Sequence, residues 1–275
     1  MAIFEFDAGR IFYEEHGSGD PPLMFVHGLA CSQEDWRNQI DYFAPSNRVV
    51  SLDLRGHGRS EGYTLGFDIV SFGADVAALI AELRLPPVLL VGHSMGCRVV
   101  LECACTAPDH VVGLVLIDGS RFAATSANAA RRAVQRAIQT SGYDAFMERL
   151  FTQMFTADSN TQTRDAIVTR AKRLPRSVGL ELVPQMAAWD ADVVERALRS
   201  AKVPLSVLQS THLNENRERI PLRPGDSSPW LELVKEHVPH AEIHVLPGIG
   251  HFTMIEAADE VNRRLAAMLD NLASR

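Results

Sequence analysis

One serine in this chain is framed by two glycines, Gly92-His93-Ser94-Met95-Gly96, and the segments flanking it differ in kind. Before it lies Val88-Leu89-Leu90-Val91, short and apolar throughout; after it, Cys97 to Thr106 reads as a helix. A strand that passes straight into a helix must bend sharply. Glycines on both sides of the bend remove the Cβ atoms that would collide there, and the bend exposes the serine hydroxyl. The first N–H groups of the helix, at the positive end of its dipole, point to the same spot and favour developing negative charge. The chemistry suited to this arrangement is nucleophilic attack by Ser94. A hydroxyl attacks poorly at neutral pH, so a base must stand beside it. Of the ten histidines, His251 in Gly248-Ile249-Gly250-His251-Phe252 follows the last apolar run and precedes the last helix, at the sheet edge expected for Ser94. His93, next to the serine, is expected to be a structural part of the turn.

The elements that must hold these residues follow from periodicity. Ile3–Phe6 and Ile11–Glu15 alternate about a turn signal and predict a hairpin. Leu23–Val26, Arg48–Leu52, Val88–Val91 and Leu114–Ile117 are apolar on both faces, as strands covered on both sides must be. Helical stretches at Gln33–Tyr42, Ile69–Leu83 and Cys97–Thr106 alternate with them, which predicts a mostly parallel α/β sheet with right-handed crossovers. The strand pattern returns at Leu205–Gln209 and Ile243–Leu246, before a closing helix from Glu256 to Leu272. From residue 121 to 200 the chain is helical throughout, far longer than the ~10–12 residues a crossover needs. We expect a core of residues 1–120 and 201–275 with a helical cap inserted at 121–200.

Composition narrows the partners. The 275 residues are 46% hydrophobic and 22% charged, with a formal net charge of -7, an ordinary globular balance. No Lys/Arg block offers a phosphate-backbone footprint, so nucleic acid is not expected; Arg131, Arg132 and Arg136 read as a solvated helix face. The longest apolar run, Pro86 to Val91, is much shorter than the roughly 20 residues of a membrane span. The N-terminus has no signal-peptide pattern. Cys31, Cys97, Cys103 and Cys105 lack metal-ligand spacing and a disulfide framework, so they are expected to be free, largely buried thiols in a reducing cytoplasm.

Taken together, His27-Gly28, Asp53-Leu54-Arg55-Gly56-His57-Gly58-Arg59-Ser60, Gly92–Gly96 and Gly250-His251-Phe252 resemble the α/β-hydrolase fold superfamily, in its capped esterase and haloperoxidase-like group. The resemblance spans essentially the whole chain. It implies an oxyanion hole from the backbone N–H groups of Leu29 and Met95, and a structural role for the turn that begins at Asp53. It also implies a triad acid, and here the chain departs from the common pattern. Most relatives carry an aspartate just after the strand corresponding to Leu205–Gln209, whereas this chain reads Ser210-Thr211-His212-Leu213-Asn214-Glu215-Asn216. Asp118, at the end of Leu114–Ile117, is the preferred acid, since some branches take it from that strand end. Glu215 or an uncharged Asn214 are the alternatives, and Asp226 lies further off.

The expected reaction is acyl transfer through Ser94 on a carboxylic ester or lactone of a moderately apolar small molecule, with no metal or organic cofactor. Activity is expected to fall as His251 protonates below about pH 6–7. Aromatic and Met side chains of the cap (Phe146, Met147, Phe151, Met154, Phe155, Met186, Trp189) are expected to pack, with a few lining an apolar pocket. A carbon–carbon hydrolase using the same triad, a lyase or cofactor-free oxygenase, and a ligand-binding receptor with a vestigial triad remain open, as do monomeric and homo-oligomeric states.

Overall fold

The computed structural model describes residues 2–214 and 218–274. The chain opens with the expected hairpin, β1 (Ala2–Phe6) and β2 (Gly9–His16), and continues through β3 (Leu23–Val26), a 3₁₀ turn at Gln33–Trp36, α1 (Arg37–Phe43) and β4 (Val49–Leu52). Then follow α2 (Ile69–Glu82), β5 (Val88–His93), α3 (Met95–Thr106) and β6 (Val111–Ile117). Five helices come before the next strand: α4 (Ala127–Ser141), α5 (Tyr143–Thr152), α6 (Thr161–Ala171), α7 (Arg176–Asp192) and α8 (Val194–Ser200). The chain closes with β7 (Leu205–Gln209), β8 (Thr211–Leu213), β9 (Arg219–Pro221), α9 (Pro229–His237), β10 (Glu242–Val245), α10 (Thr253–Glu256) and α11 (Ala258–Ala273).

The main sheet runs β1-β2-β4-β3-β5-β6-β7-β10. Only the β1–β2 and β2–β4 pairs are antiparallel; from β4 to β10 every neighbouring pair is parallel. Every residue of β3, β4 and β5 is buried, which is why these strands lack alternation: helices cover both faces. In α2 the residues Ile69, Phe72, Val76, Leu79 and Ile80 form the buried stripe, and Asp68 caps its start by accepting the Ser71 N–H. Because the strands are parallel, their C-terminal ends share one edge. Gly92 and His93, Ile117, and Gln209 all arrive there, and so do the loops that follow them.

Three local details differ from expectation. Helix α3 begins at Met95, two residues early, because Ser94 itself occupies the N-cap position. The closing helix is split into α10 and α11 at Ala257, whose non-helical backbone (φ -131°, ψ 45°) breaks the turn. The segment after β7 forms a small antiparallel ribbon, β8–β9, pairing Thr211 with Pro221 and Leu213 with Arg219. Its short polar strands carry no period that sequence reasoning could detect.

Candidate active site

At the end of β5 the backbone of Ser94 is held at φ 54° and ψ -112°, a region that non-glycine residues rarely adopt. Such a conformation costs on the order of 1–3 kcal/mol and persists only where its surroundings impose it. Those surroundings are visible. A Cβ on Gly92 would strike the Gly96 carbonyl, and one on Gly96 would strike the Val26 carbonyl of β3. The strand, the turn and the first turn of α3 therefore close to a distance only glycines permit. Ser94 N donates to the Ile117 carbonyl at 2.9 Å, which ties the bend to β6.

Asp118 ends β6 one residue later, also left-handed, at φ 47°. Its carboxylate is fully buried and heavily solvated by protein. Oδ1 accepts the backbone N–H groups of Ser210 (2.8 Å) and Thr211 (2.7 Å). Oδ2 accepts from the Thr211 hydroxyl (2.5 Å), from Arg219 Nη1 (3.2 Å) and from His251 Nδ1 (2.5 Å). Burial opposes ionisation of this carboxyl. The His251 hydrogen bond and charge, with Arg219 and Thr211, outweigh it and hold the group down to about 2.

His251 is 1% exposed, and its Nε2 has no hydrogen-bond partner among the described residues. Its backbone N–H donates to the Met154 carbonyl, just beyond α5, at 2.7 Å. His93 is fully buried, its ring 4.7 Å from that of His251, with Nε2 2.9 Å from the His251 carbonyl oxygen; it supports the loop. The ordinary imidazole range expected from sequence does not hold for His251. Burial first, then the positive charge of Arg219, outweigh Asp118 and push it down to about 4.

The remaining candidates are placed as follows. Asn214 turns to Glu218, donating to its carboxylate at 2.9 Å and accepting its N–H at 2.9 Å. Asp226 is exposed and accepts the Arg223 N–H in a turn. Glu215 lies outside the described residues. Leu29 is buried just after Gly28, where a Cβ would sit 3.2 Å from Ser94 Cβ, so this loop lies hard against the Ser94 turn. His27 steadies that loop: its Nδ1 lies 2.7 Å from the Gly28 carbonyl oxygen and its Nε2 accepts the Leu54 N–H. Met95 is the first residue of α3. Asp53 accepts the N–H groups of Gln33 and Arg59, each at 2.8 Å, inside its own turn. All four cysteines are free, and burial pushes Cys97 up to about 12.

Sequence reasoning missed two arginines. Arg98, on α3, makes a bidentate pair with buried Asp190 of α7 (2.7 Å each), donates to the Ser120 carbonyl (2.7 Å), and reaches the Ser94 carbonyl at 3.4 Å. Arg219 stands in a charged stretch that looks like exposed loop, yet its side chain is 5% exposed. In the sequence nothing local marks either one. Within residues 121–200, Met147, Phe151, Met154, Met186 and Trp189 are buried, and the Trp189 indole donates to Glu102. A cavity of about 750 Å³ opens between the β3 and β4 loops and the start of α7, lined by Ala30, Cys31, His57, Phe67 and Val178 among others; neither Ser94 nor His251 is part of its lining.

No described helix is long and apolar enough to cross a membrane. The dihydrolipoyllysine-residue acetyltransferase component of an acetoin cleaving system from Pseudomonas putida is 28% identical over 95% of this chain and 67% of its own length. A non-heme haloperoxidase from Rhodococcus erythropolis is 44% identical, over 33% of each chain. The chain thus spans from a third to two thirds of these relatives. Among solved structures, an N-acyl homoserine lactone degrading enzyme superposes with a TM-score of 0.80 at 22% identity, covering 97% of this chain and 99% of its own, a likeness of fold. The profile of the alpha/beta hydrolase family matches residues 23–264, from β3 into the first half of α11. This chain belongs to the alpha/beta hydrolase family.

Proposed function

We propose that the protein is a serine hydrolase that cleaves a carboxylic ester or lactone of a moderately apolar small molecule through an acyl-enzyme on Ser94. The observation that carries this reading is the buried Asp118–His251 pair, 2.5 Å apart, at the sheet edge where Ser94 is held strained. A neutral His251 with Nδ1–H bound to Asp118 leaves Nε2 as the free lone pair, the form a general base needs. Ser94 Oγ attacks the carbonyl carbon as its proton passes to His251 Nε2. The Leu29 and Met95 N–H groups receive the oxyanion. The tetrahedral centre collapses, the C–O bond breaks, and His251 returns the proton to the leaving alcohol. Water repeats the sequence, and the acid departs. The helical segment 121–200 serves as the cap over a core of residues 1–120 and 201–275. Free thiols suit a reducing cytoplasm.

A lactone is a cyclic ester, and the lactone-degrading enzyme that shares the fold fits this substrate class. The test is labelling of the folded protein by a fluorophosphonate probe, with peptide mapping. Modification of Ser94, lost in Ser94→Ala together with aryl-ester turnover, is expected. Unmodified Ser94 in folded protein overturns the reading.

A further inference from the structure

The acid of the candidate triad is shared. Oδ2 of Asp118 accepts from His251 and also from Arg219 Nη1, and the same Nη1 donates to the Thr211 hydroxyl at 2.7 Å. Thr211 in turn donates to Oδ2, so acid, threonine and arginine close a three-membered ring of hydrogen bonds. Arg219 reaches this position because β9 folds back on β8, and its own N–H is anchored to Gln153 Oε1 at 3.1 Å, just past α5. A lone ion pair would serve to fasten the ribbon to β6. Sharing one carboxylate oxygen with the proposed base does more.

We infer that Arg219 is a positioning residue for the proposed triad: it fixes the Asp118 carboxylate toward His251 and offsets its charge, so that His251 remains a neutral base into acidic pH. The inference rests on the serine-hydrolase reading of the same site. In a two-member pair, protonating the histidine gives Asp⁻ and His⁺, a neutral couple. With Arg219 present the resting cluster is already neutral, and protonating His251 leaves a net positive charge on a cluster of buried side chains. Unscreened charges at these separations interact strongly. The other groups around His251 give little relief. His93 from β5 is buried, and burial holds it neutral. Arg98 from α3 adds positive charge to the surroundings, though Asp190 pairs it. Glu256 on α10 accepts the Ser159 hydroxyl, and burial and the charge of Asp118 both oppose its ionisation. Asp118 is thus the carboxylate that faces the ring, and Arg219 claims part of it.

The test compares wild type, Arg219→Lys and Arg219→Gln in kcat/KM for an aryl ester between pH 4 and 8, over the range where circular dichroism shows each folded. The acid limb of Arg219→Gln is expected to lie about one pH unit or more above that of wild type, a relative loss of about twofold at pH 5 that grows to about fivefold at pH 4, with Arg219→Lys nearer wild type. A purely structural arginine would lower stability and leave the limb where it was; coincident limbs in folded wild type and Arg219→Gln overturn the inference. If Arg219→Gln does not fold, the His251 ring is titrated by NMR in ¹⁵N-histidine-labelled wild type and in Arg219→Met, whose apolar side chain keeps the bulk without the charge. A midpoint at least one pH unit higher in Arg219→Met supports the inference, and coincident midpoints overturn it. Failure of Ser94 to label would instead sink the hydrolase reading, and the NMR titration remains readable either way.

Discussion

His251 Nδ1 and Asp118 Oδ2 are 2.5 Å apart although 133 residues separate them in the chain, and the whole helical segment 121–200 lies between. The proposed acid comes from the strand after α3, and Ser210 and the ribbon that follows it supply its hydrogen bonds instead of its replacement. Asp118→Asn should therefore lower kcat by about 10⁴ while the fold survives, because a side-chain oxygen can still accept the Ser210 and Thr211 N–H groups. Steady-state turnover of an aryl ester, with a thermal melt as control, measures both. Near-normal turnover would remove Asp118 from the triad.

Acid should destabilise the protein earlier than its carboxylates would. Burial pushes His27 and His57 down to about 3, His251 to about 4, and His93 well below its usual value. These folded-state values lie below the unfolded 6.5, so the unfolded chain binds more protons between pH 6.5 and about 3–4. The stabilisation is full above 6.5 and is lost as pH falls through that window, by up to about 1.4 kcal/mol per pH unit for each histidine. Asp118, held to about 2, contributes only a later loss, between its unfolded value and pH 2. Urea midpoints at pH 7.5, 6 and 5 should fall steadily, and a constant midpoint would refute the neutral buried histidines.

Arg98→Met should destabilise by about 3–5 kcal/mol, since it strands the Asp190 carboxylate in the interior. Adding Asp190→Leu should restore much of that loss, because the unpaired charge goes too. Chemical denaturation of the two variants gives the comparison. Equal stabilities for single and double variants would mean that the pair is not isolated from water.

Thiol chemistry should be confined. Cys31, Cys97 and Cys103 are buried, with burial pushing the latter two up to about 12, whereas Cys105 is partly exposed. Brief iodoacetamide treatment of folded protein at pH 7.5 should modify Cys105 alone and leave turnover unchanged. Mass spectrometry of the peptides reads the sites, and early modification of Cys97 would contradict the packing around Ser94.

The sheet was legible because doubly covered strands are apolar on both faces, and the turn at Ser94 because only glycines allow it. The proposed acid was legible only indirectly: Asp118 comes forward because Ser210 to Asn216 holds no aspartate. Arg219 was not legible at all. Its partners Asp118 and Gln153 are 101 and 66 residues away, and a ribbon of three-residue strands leaves no period to read. Burial was hidden as well, so His251 seemed an ordinary loop imidazole until its surroundings were known.

The bond from His251 N to the Met154 carbonyl has a mechanical consequence. The loop that carries the proposed base hangs from the helical segment, not only from the sheet. A displacement that lifts the end of α5 must stretch or break that bond and slacken the histidine's tether. The placement of the histidine loop and the seating of the chain just past α5 are therefore mechanically coupled, and neither shifts without the other.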